Sequence, residues 1–313
     1  MTNGKQSRLA TIDAILSDLV SYMPTSGEKA GVEETVRFFG AIRSIRGYVR
    51  WLAHARRTDP SVLLELTDLP FERWDRAMHK SLIALERKTF PGLIRPLVQK
   101  IVKFVREGKE NSHPLLLAHF GGGGMEVDRQ VIQLLIASQN NKPVIIVGFD
   151  KSPVAQDVAL HNLSDIGSNV SVQFYDRLDQ QMLRHLQENP PAQYTVCLCT
   201  ADVLGLDLLF QTQTFDLVYH SLFKHHLSAE QKMKMDAIAI NIARHVYEYD
   251  GYKHWFFVVL PHTLTAWNDP VFLNASILSD LRYQTKHQLL KNVNNGWKIS
   301  LSRIATYLRE YPA

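Results

Sequence analysis

From Arg8 to Met23 the apolar residues Leu9, Ile12, Leu16, Leu19 and Val20 recur at the spacing of one helix face, and Pro24 with Gly27 closes the segment. Val32 to Arg57 carries a second stripe through Val36, Phe39, Ile42, Ile45, Val49 and Leu52, which predicts one longer helix. Two further helices are predicted over Phe71 to Phe90 and Leu93 to Val105, behind Pro70 and Pro91, where a helix can begin but not continue. The chain to about Lys109 therefore reads as all-helical.

At Asn111 the period changes. Short apolar runs follow at Pro114 to Phe120, Pro143 to Phe149, Tyr194 to Cys199, Phe215 to His220 and His254 to Leu260. Runs without polar alternation suit strands buried on both faces. Amphipathic stretches lie between them at Val127 to Ala137, Val154 to Leu163 and Glu230 to Val246. That alternation predicts an α/β fold with a doubly wound, mostly parallel sheet. Asn294-Asn295-Gly296, within Gln288 to Tyr307, predicts a C-terminal antiparallel hairpin at the sheet edge. Val170 to Asp176 reads either as a strand of its own or as part of an insertion before the Tyr194 strand. The domain boundary is expected near residue 110.

Composition narrows the class. Of the 313 residues, 45% are hydrophobic and 21% charged, so wholesale disorder is excluded. A net charge of +4 is too mild to point to nucleic acid. Cys197 and Cys199 alone cannot make a disulfide framework or a four-cysteine zinc site, and they read as small buried hydrophobes. No metal site is expected. The start of the chain lacks the apolar core of a signal peptide, and no run suits a membrane span, so a cytoplasmic protein is expected.

The densest chemical signal is LLLAHFGGGGMEVDRQVIQLL. An apolar strand ends at Phe120, Gly121 to Gly124 follow, and a helix begins at once. Glycines at such a junction let a ligand approach main-chain N–H groups at the helix start. The next strand ends in VIIVGFD, and an acid at that tip, Asp150, can accept hydrogen bonds from ribose hydroxyls. The dinucleotide fingerprint G-x-G-x-x-G requires glycine where this chain has Glu126, and a carboxylate there would repel a pyrophosphate.

These segments resemble the class I S-adenosylmethionine-dependent methyltransferases of the small-molecule type, over residues 112 to 310. In that family the first motif is D/E-x-G-x-G-x-G after a strand; here His119, Gly121, Gly123 and Met125 stand at those places. The second, an acid followed by a Ser-Pro helix start, matches as VIIVGFDKSP. The third resembles Thr200-Ala201-Asp202-Val203, and the fourth FDLVYHSLFKHHLS from Phe215.

The resemblance implies a Rossmann-like domain over 111–313 that binds S-adenosylmethionine as cosubstrate. The helical region 1–110 would be an acceptor-site cover or interaction surface. His119, Gly121, Gly122, Gly123, Asp150, Lys151, Asp202, Val203 and Tyr219 would face the cosubstrate, with Asp202 at the adenine, a role Asp176 takes if VSVQFYD is the third strand. A histidine in place of the first acid gives less hold on the cationic methionine end, which Glu126 could supply instead.

The expected activity is methylation of a small aromatic or apolar metabolite, with no nucleic-acid or integral-membrane partner and an open expectation of a homodimer. His220 and Tyr219, at the end of the fourth apolar run, are the candidates to assist the acceptor. His225 and His226 read as helix-capping or packing residues, and His262 as an acceptor-facing or solvated loop residue. Two other readings stay open: a non-catalytic scaffold of the same fold, suggested by the altered first motif, and a nicotinamide-dependent oxidoreductase.

Overall fold

The computed structural model describes residues 2–55, 63–108, 113–254, 266–291, 297–301 and 305–311. The chain divides into two compact units, one of residues 1–81 with 253–283, the other of residues 82–252 with 284–313.

The first unit is helical: α1 (Thr2–Ser21), α2 (Lys29–Ala41), α3 (Ile45–Ala55), most of α4 (Glu72–Ala84) and, much later in the chain, α10 (Pro270–Arg282). The segment predicted as one helix from Val32 breaks between Ala41 and Ile45, because the Ser44 hydroxyl accepts the Gly47 N–H (3.1 Å) and so starts a new helix. Ile12, Ile15, Leu19, Phe38, Phe39, Ile42 and Trp51 are buried, with Phe38 and Trp51 edge to face at 4.8 Å. The late helix is tied in through Asn274, whose side-chain oxygen accepts the Leu66 N–H (3.0 Å), and through the Arg282–Glu65 ion pair at 2.9 Å.

The second unit opens with the end of α4, a π-helical turn (Leu85–Thr89) and α5 (Arg95–Glu107). The α/β part follows: β1 (Leu115–Phe120), α6 (Glu126–Ala137), β2 (Val144–Asp150), α7 (Pro153–Leu163), β3 (Val170–Tyr175), α8 (Gln180–Glu188), β4 (Tyr194–Thr200), β5 (Phe215–Ser221), α9 (Ala229–Ile242) and β6 (Ala243–Gly251). It closes with α11 (Lys286–Lys291), β7 (Lys298–Leu301) and β8 (Thr306–Tyr311).

The strands form one sheet in the order β3-β4-β2-β1-β5-β6-β8-β7. Strands β1 to β6 run parallel; β8 pairs antiparallel with β6, and β7, antiparallel to β8, closes the edge in the direction of β1 to β6. Successive side chains alternate between faces. Leu115, Leu117, Val144, Ile146 and Leu217 pack under α5, α6 and α7, while Leu116, Ala118, Ile145, Val147 and Val218 pack against α8 and α9. The α/β expectation, with its helical N-terminal region and antiparallel C-terminal strands, holds.

Two local expectations change, and one open reading is decided. The helix predicted to Val246 stops at Ile242, and Ala243–Gly251 forms a strand beside β5; the run predicted from His254 lies, from residue 255, outside the described residues along with His262. In ARHVYEYDG the polar residues Glu248 and Asp250 are buried and paired, so the segment lacks the apolar continuity of its neighbours. The closing hairpin joins Lys298–Leu301 to Thr306–Tyr311, while Gln288 is helical and Asn294-Asn295-Gly296 lies outside the described residues. Val170–Tyr175 is a strand in its own right, at the far edge, and Tyr194–Thr200 lies beside β2.

Candidate active site

The chain leaves β1 toward β2 on one side and later returns to β5 on the other, so the sheet reverses its winding at β1. Ligands of open α/β sheets bind at such a point, beyond the carboxyl ends of the strands. The glycine run begins there. Gly121 (φ 61°) and Gly123 (φ 49°) adopt the left-handed conformation open to glycine, and the N–H groups of Gly121 and Gly122 both bond to the Phe149 carbonyl. Asp150 closes the loop from β2: one carboxylate oxygen accepts the Gly123 N–H and the other the Ser152 N–H, each at 2.9 Å. Ser152 caps α7 through the Ala155 N–H (3.1 Å), with Pro153 in its first turn. A carboxylate has room for about two further donors, which is what a ribose diol would need.

Asp202 lies near Asp150. Thr200 is its register partner across β4, and the Ala201 N–H donates to the Asp150 carbonyl (3.0 Å). The Asp202 carboxylate caps a 3₁₀ turn through the Leu204 N–H (2.9 Å); Val203 is buried and Lys151 exposed. Asp176 follows β3, one strand further out.

Met125 occupies the place of the family's third glycine in the left-handed conformation, at φ 56°. Its side chain turns beneath the loop into space left by two other glycines. A Cβ built on Gly122 would lie 2.6 Å from the Met125 sulfur, and one on Gly148 2.7 Å.

His119 points into the face beneath α6. Its Nδ1 lies 2.7 Å from Asp128, which also accepts the Tyr219 hydroxyl, and the His119 and Tyr219 rings pack at a 30° tilt with centroids 4.7 Å apart. Burial, then the charge of Asp128, hold the Tyr219 phenol well above its ordinary pKa. Glu126 is committed elsewhere: Arg87 (2.6 Å), Gln130 (3.1 Å) and Asn162 (3.3 Å) all donate to it. That ion pair fills the first turn of α6, where a dinucleotide pyrophosphate would sit.

His220 projects to the opposite face of β5, 3.9 Å from Glu248. Burial depresses its pKa to about 4, against the pull of Glu248. Glu248 is held by Lys224 (2.8 Å), Arg309 (3.1 Å) and the Tyr307 hydroxyl; these cations outweigh its desolvation and lower its pKa to about 2. His225 bonds to Asp250 (2.8 Å) with its ring 4.1 Å from that of His226, while Ser228 and Gln231 form the capping box of α9.

The site therefore gathers Gly121 to Gly123, Asp150 and Asp202 at the tips of β1, β2 and β4, puts His119 and Tyr219 together under α6, and sets His220 apart from them. Buried polar atoms without a partner include Nε2 of His119 and Nδ1 of His220 near the ends of the neighbouring strands β1 and β5, and Oγ1 of Thr200 at the end of β4, beyond β2. Sequence reasoning passed over Asp128 and Glu86. Asp128 is an acid on an otherwise apolar helix stripe, as its spacing with Val131, Ile132 and Leu135 shows, and Glu86 lies in a π-helical turn among charged neighbours.

The parallel strands, the crossovers and the antiparallel edge define the class I S-adenosylmethionine-dependent methyltransferase fold, and the chain has it. CurJ carbon methyltransferase matches over 96% of this chain and 69% of its own, with a TM-score of 0.50 and 11% identity. DszA carbon methyltransferase (TM-score 0.48, 14% identity, 89% and 69% covered) and PigF with S-adenosylhomocysteine (0.45, 13%, 89% and 70%) are also similar. No protein-family profile and no curated protein matches the chain.

Proposed function

We propose that the protein is an S-adenosylmethionine-dependent methyltransferase acting on a small aromatic or apolar acceptor. The observation that carries this reading is the position of Asp150, at the tip of β2 between the glycine loop and the Asp202 turn. Its carboxylate would take the ribose hydroxyls, and Asp202 the adenine amino group. Gly121 to Gly123 would let the cosubstrate approach the main chain, with Lys151 and Val203 flanking it. The cosubstrate would supply an activated methyl for in-line displacement, so the chain's work is mainly to hold donor and acceptor at contact distance.

His220 is read as the acceptor-side residue: its ring is neutral at pH 7, and its unpartnered Nδ1 would hydrogen-bond the acceptor. Tyr219, whose hydroxyl is engaged by Asp128, orients that carboxylate and His119. The helical region is read as an acceptor cover or interaction surface on the resemblance alone. Among the described residues no helix is long and apolar enough to cross a membrane.

The test is calorimetry with S-adenosylhomocysteine on the purified full chain. Binding is expected, and Asp150→Ala should weaken it about tenfold or more through loss of a charged hydrogen-bond acceptor. Folded protein that takes up no ligand at millimolar concentration overturns the reading. A second reading, a binding protein that keeps the fold without catalysis, is favoured by Phe223. Its ring fills the space above Gly121, where a Cβ would meet it at 2.3 Å. Binding without methyl transfer to any of a panel of aromatic acceptors would select it.

A further inference from the structure

We propose that α3 is an interfacial helix that seats the protein on an anionic phospholipid surface. This surface belongs to the helical unit alone and is independent of what the sheet unit binds.

The chain around α3 is one-sided in charge. From Thr35 to Thr58 it holds Arg37, Arg43, Arg46, Arg50, Arg56 and Arg57, with no Asp, Glu or Lys. A guanidinium fork matches the oxygens of a phosphate, which an ammonium meets only as a point charge. The nearest acids are already engaged. Glu34 accepts the Trp51 indole N–H (2.9 Å) and pairs with Arg37 at 3.4 Å, and Asp13 pairs with Arg43. Arg46 and Arg50 are exposed, and among the described residues nothing pairs with either.

The fold decides which residues of α3 face outward. Tyr48 and Trp51 are buried, Trp51 against Phe38 and Tyr48 against Trp267 with ring centroids 5.5 Å apart. The side turned away from them carries two rows. Ile45, Val49 and Ala53, four residues apart, form an apolar row; Arg46 and Arg50, one position on, form a basic row beside it. Ile45 is 68% exposed and Val49 57%, so neither is spent on the core.

This pairing of rows selects the partner. Headgroup phosphates would meet Arg46 and Arg50 while Ile45 and Val49 enter the boundary of the acyl chains, as in other amphipathic helices that lie on membranes. RNA offers phosphates too, but single strands are held on stacking aromatics, and those of α3 are buried in the core. An acidic peptide would satisfy the arginines and leave the apolar row in water. At 11 residues α3 is about 16 Å long, too short to span a bilayer, so it lies in the plane of the surface.

The experiment is flotation of the full chain with two sets of vesicles, phosphatidylcholine alone and phosphatidylcholine with phosphatidylserine at about one lipid in three. Binding is expected to the second set only. It should be largely lost between about 0.1 M and about 1 M salt, over which the screening length shortens about threefold. Arg46→Gln with Arg50→Gln should weaken the anionic partition more than about tenfold, at roughly fivefold for each arginine. Ile45→Ser with Val49→Ser should weaken it about fivefold or more. All four positions are exposed, so thermal melting should be unchanged in both variants. Lys103→Gln, an exposed charge on α5 of the other unit, should alter binding less than about twofold. No binding to the anionic vesicles, equal binding to both sets, or variants that partition as the unaltered chain does overturns the proposal. So does stronger binding to polyuridylate or polyglutamate than to the vesicles. An Ile45→Ser, Val49→Ser chain that keeps full affinity overturns it as well, because phosphate alone would then be recognised. Should either variant fail to fold, the anionic-against-neutral comparison and its salt dependence on the unaltered chain decide.

Discussion

The Nδ1 atom of His119, near the end of β1, lies 2.7 Å from the carboxylate of Asp128 in the first turn of α6. That contact joins the strand to the helix across the glycine loop, and Tyr219 of β5 shares the same carboxylate. Three elements are thereby fixed through one fully buried side chain, and the loop between them inherits its position.

Removing Asp128 should therefore cost far more than an average substitution. Asp128→Ala leaves an imidazole and a phenol buried without their acceptor, a loss of about 3–5 kcal/mol by analogy with broken buried charge pairs. Asp128→Asn keeps the shape and one acceptor and should lose less. Urea unfolding measures both, and a near-neutral Asp128→Ala would show that the carboxylate does not organise this junction.

Met125 and Gly148 form a second coupled pair. Gly148→Ala would set a methyl 2.7 Å from the Met125 sulfur, an overpacking expected to cost about 1–3 kcal/mol. Met125→Ala alone opens a cavity. Combined, the two substitutions should destabilise less than their sum, because the new methyl enters space the sulfur has left. Strict additivity in a double-mutant cycle by denaturant unfolding would contradict this.

How far the site could be read beforehand follows from where its partners lie in sequence. Asp150 with Ser152-Pro153, and the glycines after β1, were legible because each signal is local: a strand end, a turn and a helix cap within a few residues. Strand β6 was not. Glu248 and Asp250 look like surface residues until Lys224, Arg309 and His225, distant in sequence, are folded against them. Glu86 was hidden for the same reason, since its surroundings come from α6 and β6. The left-handed Met125 looked like a lost glycine, and only the space left by Gly122 and Gly148 explains how a side chain is tolerated there.

Asp202 and Asp176 should separate in binding. Asp202 follows the strand that neighbours β2, whereas Asp176 follows the edge strand β3. Asp202→Ala is expected to weaken S-adenosylhomocysteine about tenfold through loss of a hydrogen bond to the adenine. Asp176→Ala should leave the affinity within about twofold, as surface substitutions away from a site generally do. Calorimetry on both variants decides, and the reverse order would move the adenine to the edge strand.

Stability should depend on pH with opposite signs at two buried groups of the sheet unit. Burial, then Glu126 and Asp128, raise Glu86 from 4.5 to about 8. Between those values the folded state holds a proton that the unfolded state has released, so the contribution is complete below 4.5 and disappears as pH rises through 8. His220 is depressed from 6.5 to about 4, so its contribution is complete above 6.5 and is lost on acidification toward 4. From 4.5 to 6.5 the two oppose each other; above 6.5 only Glu86 of this pair still contributes, with a slope of up to about 1.4 kcal/mol per pH unit. Without ligand, the advantage of Glu86→Gln over the unaltered chain should therefore widen steadily as pH rises from 4.5 to 8. Asp280, in the helical unit, is raised to about 8 chiefly by burial, so Asp280→Asn should widen its own advantage as pH rises toward 8. Urea titrations across this range read both differences, and a Glu86→Gln difference that stays flat with pH would show that the carboxyl is already ionised in the folded chain.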